Sequence, residues 1–131
     1  MTEAEILEQI AIYIDRMWLF AQWYVAISLA LVTATHVAAE RLNLFVLVIL
    51  VILYSAYSVL VSVSYIWNYN VMGGFYRELF ELGANLSEGS KVGLSDPWGR
   101  YTHMLFQWIG GAVYFASSAF LIRTYVQEKR K

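Results

Sequence analysis

The sequence predicts an all-α membrane protein with three transmembrane helices, and three observations predict it. Of its 131 residues, 60% are hydrophobic and 15% charged, where a soluble domain has about 45–50% and about 25%. Three stretches, 17–39, 44–67 and 102–122, hold no Asp, Glu, Lys or Arg, and about 20 such residues span a bilayer as a helix. The first glycine is Gly73 and the sole proline is Pro97, so no strong helix breaker falls in the first half of the chain. The chain reads as a single three-pass membrane domain, 1–131.

An N-terminal amphipathic helix comes first. Thr2 and Glu5 have the spacing of a capping box, in which each side chain satisfies an amide at the helix start. Ile6, Ile10, Tyr13 or Ile14, and Met17 then recur at helical spacing. This face is expected either to lie on the outer leaflet or to pack on a neighbouring protein. The N-terminus lacks the positive n-region of a secretory signal, so no cleavage is expected. The first span, 17–39, ends at Glu40-Arg41-Leu42-Asn43, where Asn43 suits the N-cap of the second helix. The second span, 44–67, is rich in β-branched residues, yet it is too long for an ordinary strand. The two spans form a helical hairpin.

Within the 68–101 loop, Phe75, Leu79, Leu82 and Leu86 fall at i, i+4, i+7 and i+11, which predicts a short interfacial helix over about 74–86, opened by Gly73-Gly74. Residues 87–91 and 93–99 carry turn chemistry. The third span runs over 102–122 and ends at Arg123.

Charge sets the expected orientation. The segment through Arg16 is net −3 and the tail from Arg123 net +3, and Lys plus Arg number five on the tail side against four on the other. The positive-inside rule then places the N-terminus outside and the C-terminus in the cytoplasm, most simply in a bacterial inner membrane. All five tryptophans, Trp18, Trp23, Trp67, Trp98 and Trp108, fall on the outer side. They read either as an enlarged interfacial belt or as an aromatic surface that docks a protein, lipid or pigment.

Helices in lipid associate through small residues and shared hydrogen bonds. Candidate packing seams are Ala26, Ala30, Ala34 and Ala38 on the first span, Ser55, Ser58 and Ser62 on the second, and Ala112, Ala116 and Ala119 beside Gly110-Gly111 on the third. Gln22, Leu29 and His36 share a stripe placed roughly opposite the alanine ladder. Gln22 and Gln107 lie at similar depth, where an amide–amide bond is one reading and contact with a partner subunit another.

Most chemistry is excluded. The absence of cysteine removes disulfides, thiolate metal sites and cysteine nucleophiles, and a net charge of −1 gives no support for nucleic-acid binding. His36 and His103 sit at opposite membrane faces, too far apart to share a haem. His36 alone is a candidate ligand for a pigment or haem shared with another subunit, while the plainer reading pairs it with Glu40 or a backbone carbonyl. Beyond a lipid or a shared pigment, no cofactor is expected. His103 with Asp96 is the sole loose catalytic pairing, and the spans lack the internal charges of ion paths.

The expected function is therefore a non-catalytic accessory subunit of a larger integral-membrane complex of respiratory, photosynthetic or monooxygenase type. Its partners would be other membrane subunits and lipid. The alternative is a self-assembling, membrane-permeabilising oligomer. In outline, an outside N-terminus, three spans and a basic inner tail are similar to the largest class of phage holins, a likeness of topology that no motif carries.

Overall fold

The computed structural model describes residues 1–95 and 98–130, with the side chains of all of these except 84 and 98–100. Thr2 and Glu5 close the capping box: Thr2 N donates to Glu5 Oε2 at 2.7 Å and Glu5 N to Thr2 Oγ1 at 3.3 Å. From there α1 (Glu3–Val37) runs unbroken through the amphipathic segment and the first span. A 3-10 turn (Ala39–Arg41) reverses the chain, and Asn43 caps α2 (Leu44–Glu81) by accepting from Val46 N at 2.9 Å. After a second 3-10 turn (Gly83–Asn85) come α3 (Glu88–Ser95) and α4 (Trp98–Glu128). No strand occurs among the described residues, and three helices, α1, α2 and α4, are long and apolar enough to span a membrane.

The three long helices run alternately up and down, with α1 against both α2 and α4. Their inward residues follow three- and four-residue steps, which alternate strictly on α2. On α2 the inward set includes Tyr54, Ser58, Val61, Tyr65, Asn68, Met72, Phe75 and Leu79, and on α4 it includes Phe106, Gly110, Tyr114, Ser117 and Leu121. That is the heptad spacing of left-handed helix packing.

At about 1.5 Å per residue, α1 and α2 measure more than 50 Å, well beyond the ~30 Å of a hydrocarbon core. The excess lies at the end that carries the tryptophans. There Ile6, Ile10, Leu79 and Leu86 form a buried cluster, closed by Met72, Phe75, Tyr76, Leu82 and Leu94. The two amphipathic faces expected to seek a leaflet or a neighbour thus cover one another.

This packing accounts for two departures from expectation. The segment that begins at residue 74 is no separate interfacial helix, because α2 continues through Gly73-Gly74 to Glu81. Two interior glycines cost about 2 kcal/mol of helix propensity, and full burial of Leu79 alone offsets most of that, at about 1.5–3 kcal/mol. The helix ends at Glu81 with Leu82 as its C-cap, and Gly83 follows with a φ of 59°, open to glycine but strained for other residues. The second departure is α3, which occupies a segment expected to be turns. Ser87 caps it, accepting from Ser90 N at 3.3 Å, and Leu94 packs on the cluster. Asp96, Pro97 and the Trp98 side chain lie outside the described residues, as do the turn reading of 96–97 and the pairing of His103 with Asp96, whereas 98 and 99, also expected to be turn, open α4.

Glu3 binds the start of α1 to the start of α3. Its carboxylate accepts from Ser87 N at 3.1 and 3.2 Å, from Ser87 Oγ at 2.5 Å and from Ser90 Oγ at 2.5 Å. A helix start with unpaired amides favours an anion, and the Ser87 and Ser90 hydroxyls hold the Glu3 carboxyl below the 4.5 of an ordinary glutamate. A lowered carboxylate pKa contributes stability above the unfolded value, which is lost as pH falls through the folded one. Glu3→Ala should lower the hydrogen-exchange protection of the Ser87 and Ser90 amides, measured relative to unstructured amides at the same pH, by roughly tenfold, as should acidifying the wild type below the ordinary glutamate range. Unchanged protection in both would show that the clasp holds nothing.

Candidate functional site

A layer of hydroxyls and stacked rings joins the three spans midway along their length. Ser28 Oγ donates to Tyr24 O at 2.7 Å, so its one proton is committed and the Tyr54 hydroxyl, 2.7 Å away, donates to it. Ser55 and the Tyr114 hydroxyl share a hydrogen bond at 2.7 Å. Tyr24 donates from α1 to Gly110 O of α4 at 3.3 Å, and Ser58 Oγ lies 3.3 Å from the Tyr24 hydroxyl while donating to Tyr54 O at 2.8 Å. The Tyr54 ring stacks on Tyr24 at 6.2 Å and on Tyr114 at 5.5 Å. Each hydroxyl is thereby paired where the bilayer supplies no water.

Nearer the tryptophan end lies a second stack. Tyr65 lies parallel to Phe106 at 4.8 Å and to His103 at 5.5 Å, and His103 faces Tyr69 at 3.6 Å. Enclosed by these rings, His103 Nδ1 has no hydrogen-bond partner. His36 lies at the other end of the bundle, exposed, beside Glu40, Arg123 and Thr124 in an open polar cleft of about 500 Å³. No ion pair joins it to Glu40 among the described residues, and no group of residues suited to a metal ion occurs among them.

The expected alanine seams are not used inside the chain. Ala26, Ala30, Ala34 and Ala38 are exposed, as are Ala112, Ala116 and Ala119. The inward face of α1 carries Tyr24, Ser28 and Thr35 instead, and Ala26, two residues from both Tyr24 and Ser28, points about 200° away. Ser55 and Ser58 do join the helices, whereas exposed Ser62 donates to Ser58 O on its own helix.

Gln22, Leu29 and His36 are exposed too, and they lie beside Ala26 rather than opposite it. With Thr33 they form an outward stripe of Gln22, Ala26, Leu29, Thr33 and His36, confined to about 80° of the helix circumference. Gln107 is not part of it. No hydrogen bond joins Gln22 to Gln107 among the described residues; Phe106 and Gly110 face inward, and Gln107 sits on the rim of a cavity among α1, α2 and α4. Trp18, Trp23, Trp67 and Trp108 are all exposed on the bundle perimeter, and Trp18 meets Phe106 edge-on at 6.3 Å.

Tyr54, Tyr114, Ser28 and Ser117 were not singled out by sequence. Their signal is hydroxyl-bearing residues recurring at heptad positions within otherwise aliphatic spans. No family model matches the chain, and comparison with curated proteins and with solved structures found no match.

Removing the Tyr54 hydroxyl in Tyr54→Phe should destabilise the bundle by about 1 kcal/mol. A double-mutant cycle of Ser55→Ala and Tyr114→Phe should give a coupling of about 0.6 kcal/mol, the average for hydrogen bonds between membrane helices. Unfolding in mixed micelles measures both, and zero coupling would remove the bond from the account.

Proposed function

We propose that this chain is a non-catalytic subunit of a larger integral-membrane assembly, held to its neighbour by the outward face of α1. The observation that carries this reading is the exposed stripe Gln22, Ala26, Leu29, Thr33 and His36. An amide, a hydroxyl and an imidazole facing lipid are unfavourable, whereas small and polar residues at heptad spacing are what a membrane helix presents to another helix. A respiratory, photosynthetic or monooxygenase complex would supply such a neighbour. His36, on the same face, would meet any pigment or haem held between the two. The proposed setting is a bacterial inner membrane, with the acidic N-terminus outside and the basic tail in the cytoplasm.

A permeabilising oligomer is less well supported. Such a pore would be lined by the Gln22 and His36 stripe together with the serines of the second span. The Ser55 and Ser58 hydroxyls, however, are engaged by Tyr114, Tyr24 and the Tyr54 carbonyl, and their helix positions face the bundle axis.

A photo-crosslinking residue at Leu29 should capture a distinct membrane polypeptide in native membranes, and the same residue at exposed Leu60 on α2 should not. Ala26→Trp should reduce co-purification of that polypeptide at least tenfold without changing the helical content. Crosslinks confined to multiples of this chain's own mass, together with dye release from liposomes holding the chain alone, would instead establish the pore.

A further inference from the structure

The cavity with Gln107 on its rim has a volume of about 470 Å³ and lies within the spans, between the hydroxyl layer and the tryptophan end. Its walls come from all three long helices. Five of the lining residues are aromatic, namely Phe20, Tyr24, Tyr65, Phe106 and Tyr114. On the α4 side its floor is Gly110-Gly111, and a Cβ added at either position would meet nothing within 4 Å. The glycines therefore leave the space open without being required by close packing.

The polar groups of this wall narrow the choice of occupant. Tyr24, Ser58, Ser62 and Tyr114 all have hydrogen-bond partners within the chain. The Tyr65 hydroxyl and Gln107 have none among the described residues, and the Gln107 amide carries two donors and an acceptor at membrane depth. No Lys or Arg lines the cavity, so a phosphate headgroup finds no counter-charge. A plain acyl chain would leave the amide unpaired in hydrocarbon, at a cost of a few kcal/mol. A flat ring that bears a carbonyl would meet both features at once: the ring packs against aromatic walls at stacking distance, and the carbonyl accepts from Gln107 Nε2.

We propose that this cavity is a binding site for a membrane-soluble ring lipid carrying a carbonyl, the chemical class of the quinones, with Gln107 as its hydrogen-bond donor and Gly110-Gly111 providing its room. The site is separate from the outward face of α1 and stands whether or not a partner covers that face.

The test uses the full chain in detergent micelles, with a decyl-chain benzoquinone as probe. Trp67 and Trp108 flank rim residues Ile66 and Gln107, so their fluorescence reports the bound ring by quenching. Wild-type protein should show saturable quenching and a raised melting temperature with the probe. Gln107→Leu, which keeps the bulk and removes the donor, should weaken binding about tenfold. Gly110→Leu, which fills the cavity, should abolish saturation while melting near wild type without probe. If Gly110→Leu does not fold, Gln107→Leu on the exposed rim still decides the matter. Equal, unsaturable quenching in wild type and Gln107→Leu would overturn the proposal. Full recovery of the quenched fluorescence on adding palmitate at the probe's own concentration would also overturn it, making the cavity an acyl-chain groove.

Discussion

A hydroxyl in the middle of a bilayer has to find its partner within protein, and that obligation orients the three long helices. The pairs Ser28–Tyr54 and Ser55–Tyr114, with the bond from Tyr24 to Gly110 O, link α1 to α2, α2 to α4, and α1 to α4 in turn. Each bond restricts how far either helix can rotate. With all three in place the rotation of every span is determined, and so is what each span shows to lipid. The alanine ladders and the stripe through Gln22 and His36 face outward because tyrosine and serine occupy the interior.

The long helices, the hairpin and both caps were legible in the sequence, since each rests on local chemistry: uninterrupted apolar length, the reciprocal bonds of Thr2 and Glu5, and the side-chain cap of Asn43. The interior was less legible. An i, i+4 ladder such as Ala26 to Ala38 drifts about 40° per step, so it cannot keep one face against a straight neighbour, whereas the heptad of Tyr54, Ser58, Val61 and Tyr65 can. The Gly73-Gly74 pair misled for a related reason, because propensity is a local quantity and the burial of Leu79 against Ile6 and Ile10 is not. The glycines at 89 and 93 hid α3, although Ser87, in the N-cap position with acidic Glu88 after it, was a signal for a helix start.

The molecule solves two packing problems with one set of helices. Beyond the spans at the tryptophan end, Ile6, Ile10, Leu79 and Leu86 are buried as in a water-soluble protein, where apolar area removed from water is the driving force. Within the spans that force vanishes, and ring stacking with hydroxyl pairing takes its place. The two surfaces available for contact are correspondingly distinct: one is the outward stripe of α1, and the other the recess that α4's glycines leave beside α2.

The bonds from Ser87 and Ser90 to Glu3 also order events in time. The partners are separated by 84 and 87 residues in sequence yet meet at one end of the bundle. Glu3 is synthesised before Ser87 and Ser90, and it stays without these partners until α2 has crossed back and α3 has formed. Closing so long a loop is entropically slow. The clasp therefore acts as a late latch: it contributes nothing to insertion of the first helix and engages only on a hairpin that has completed its return.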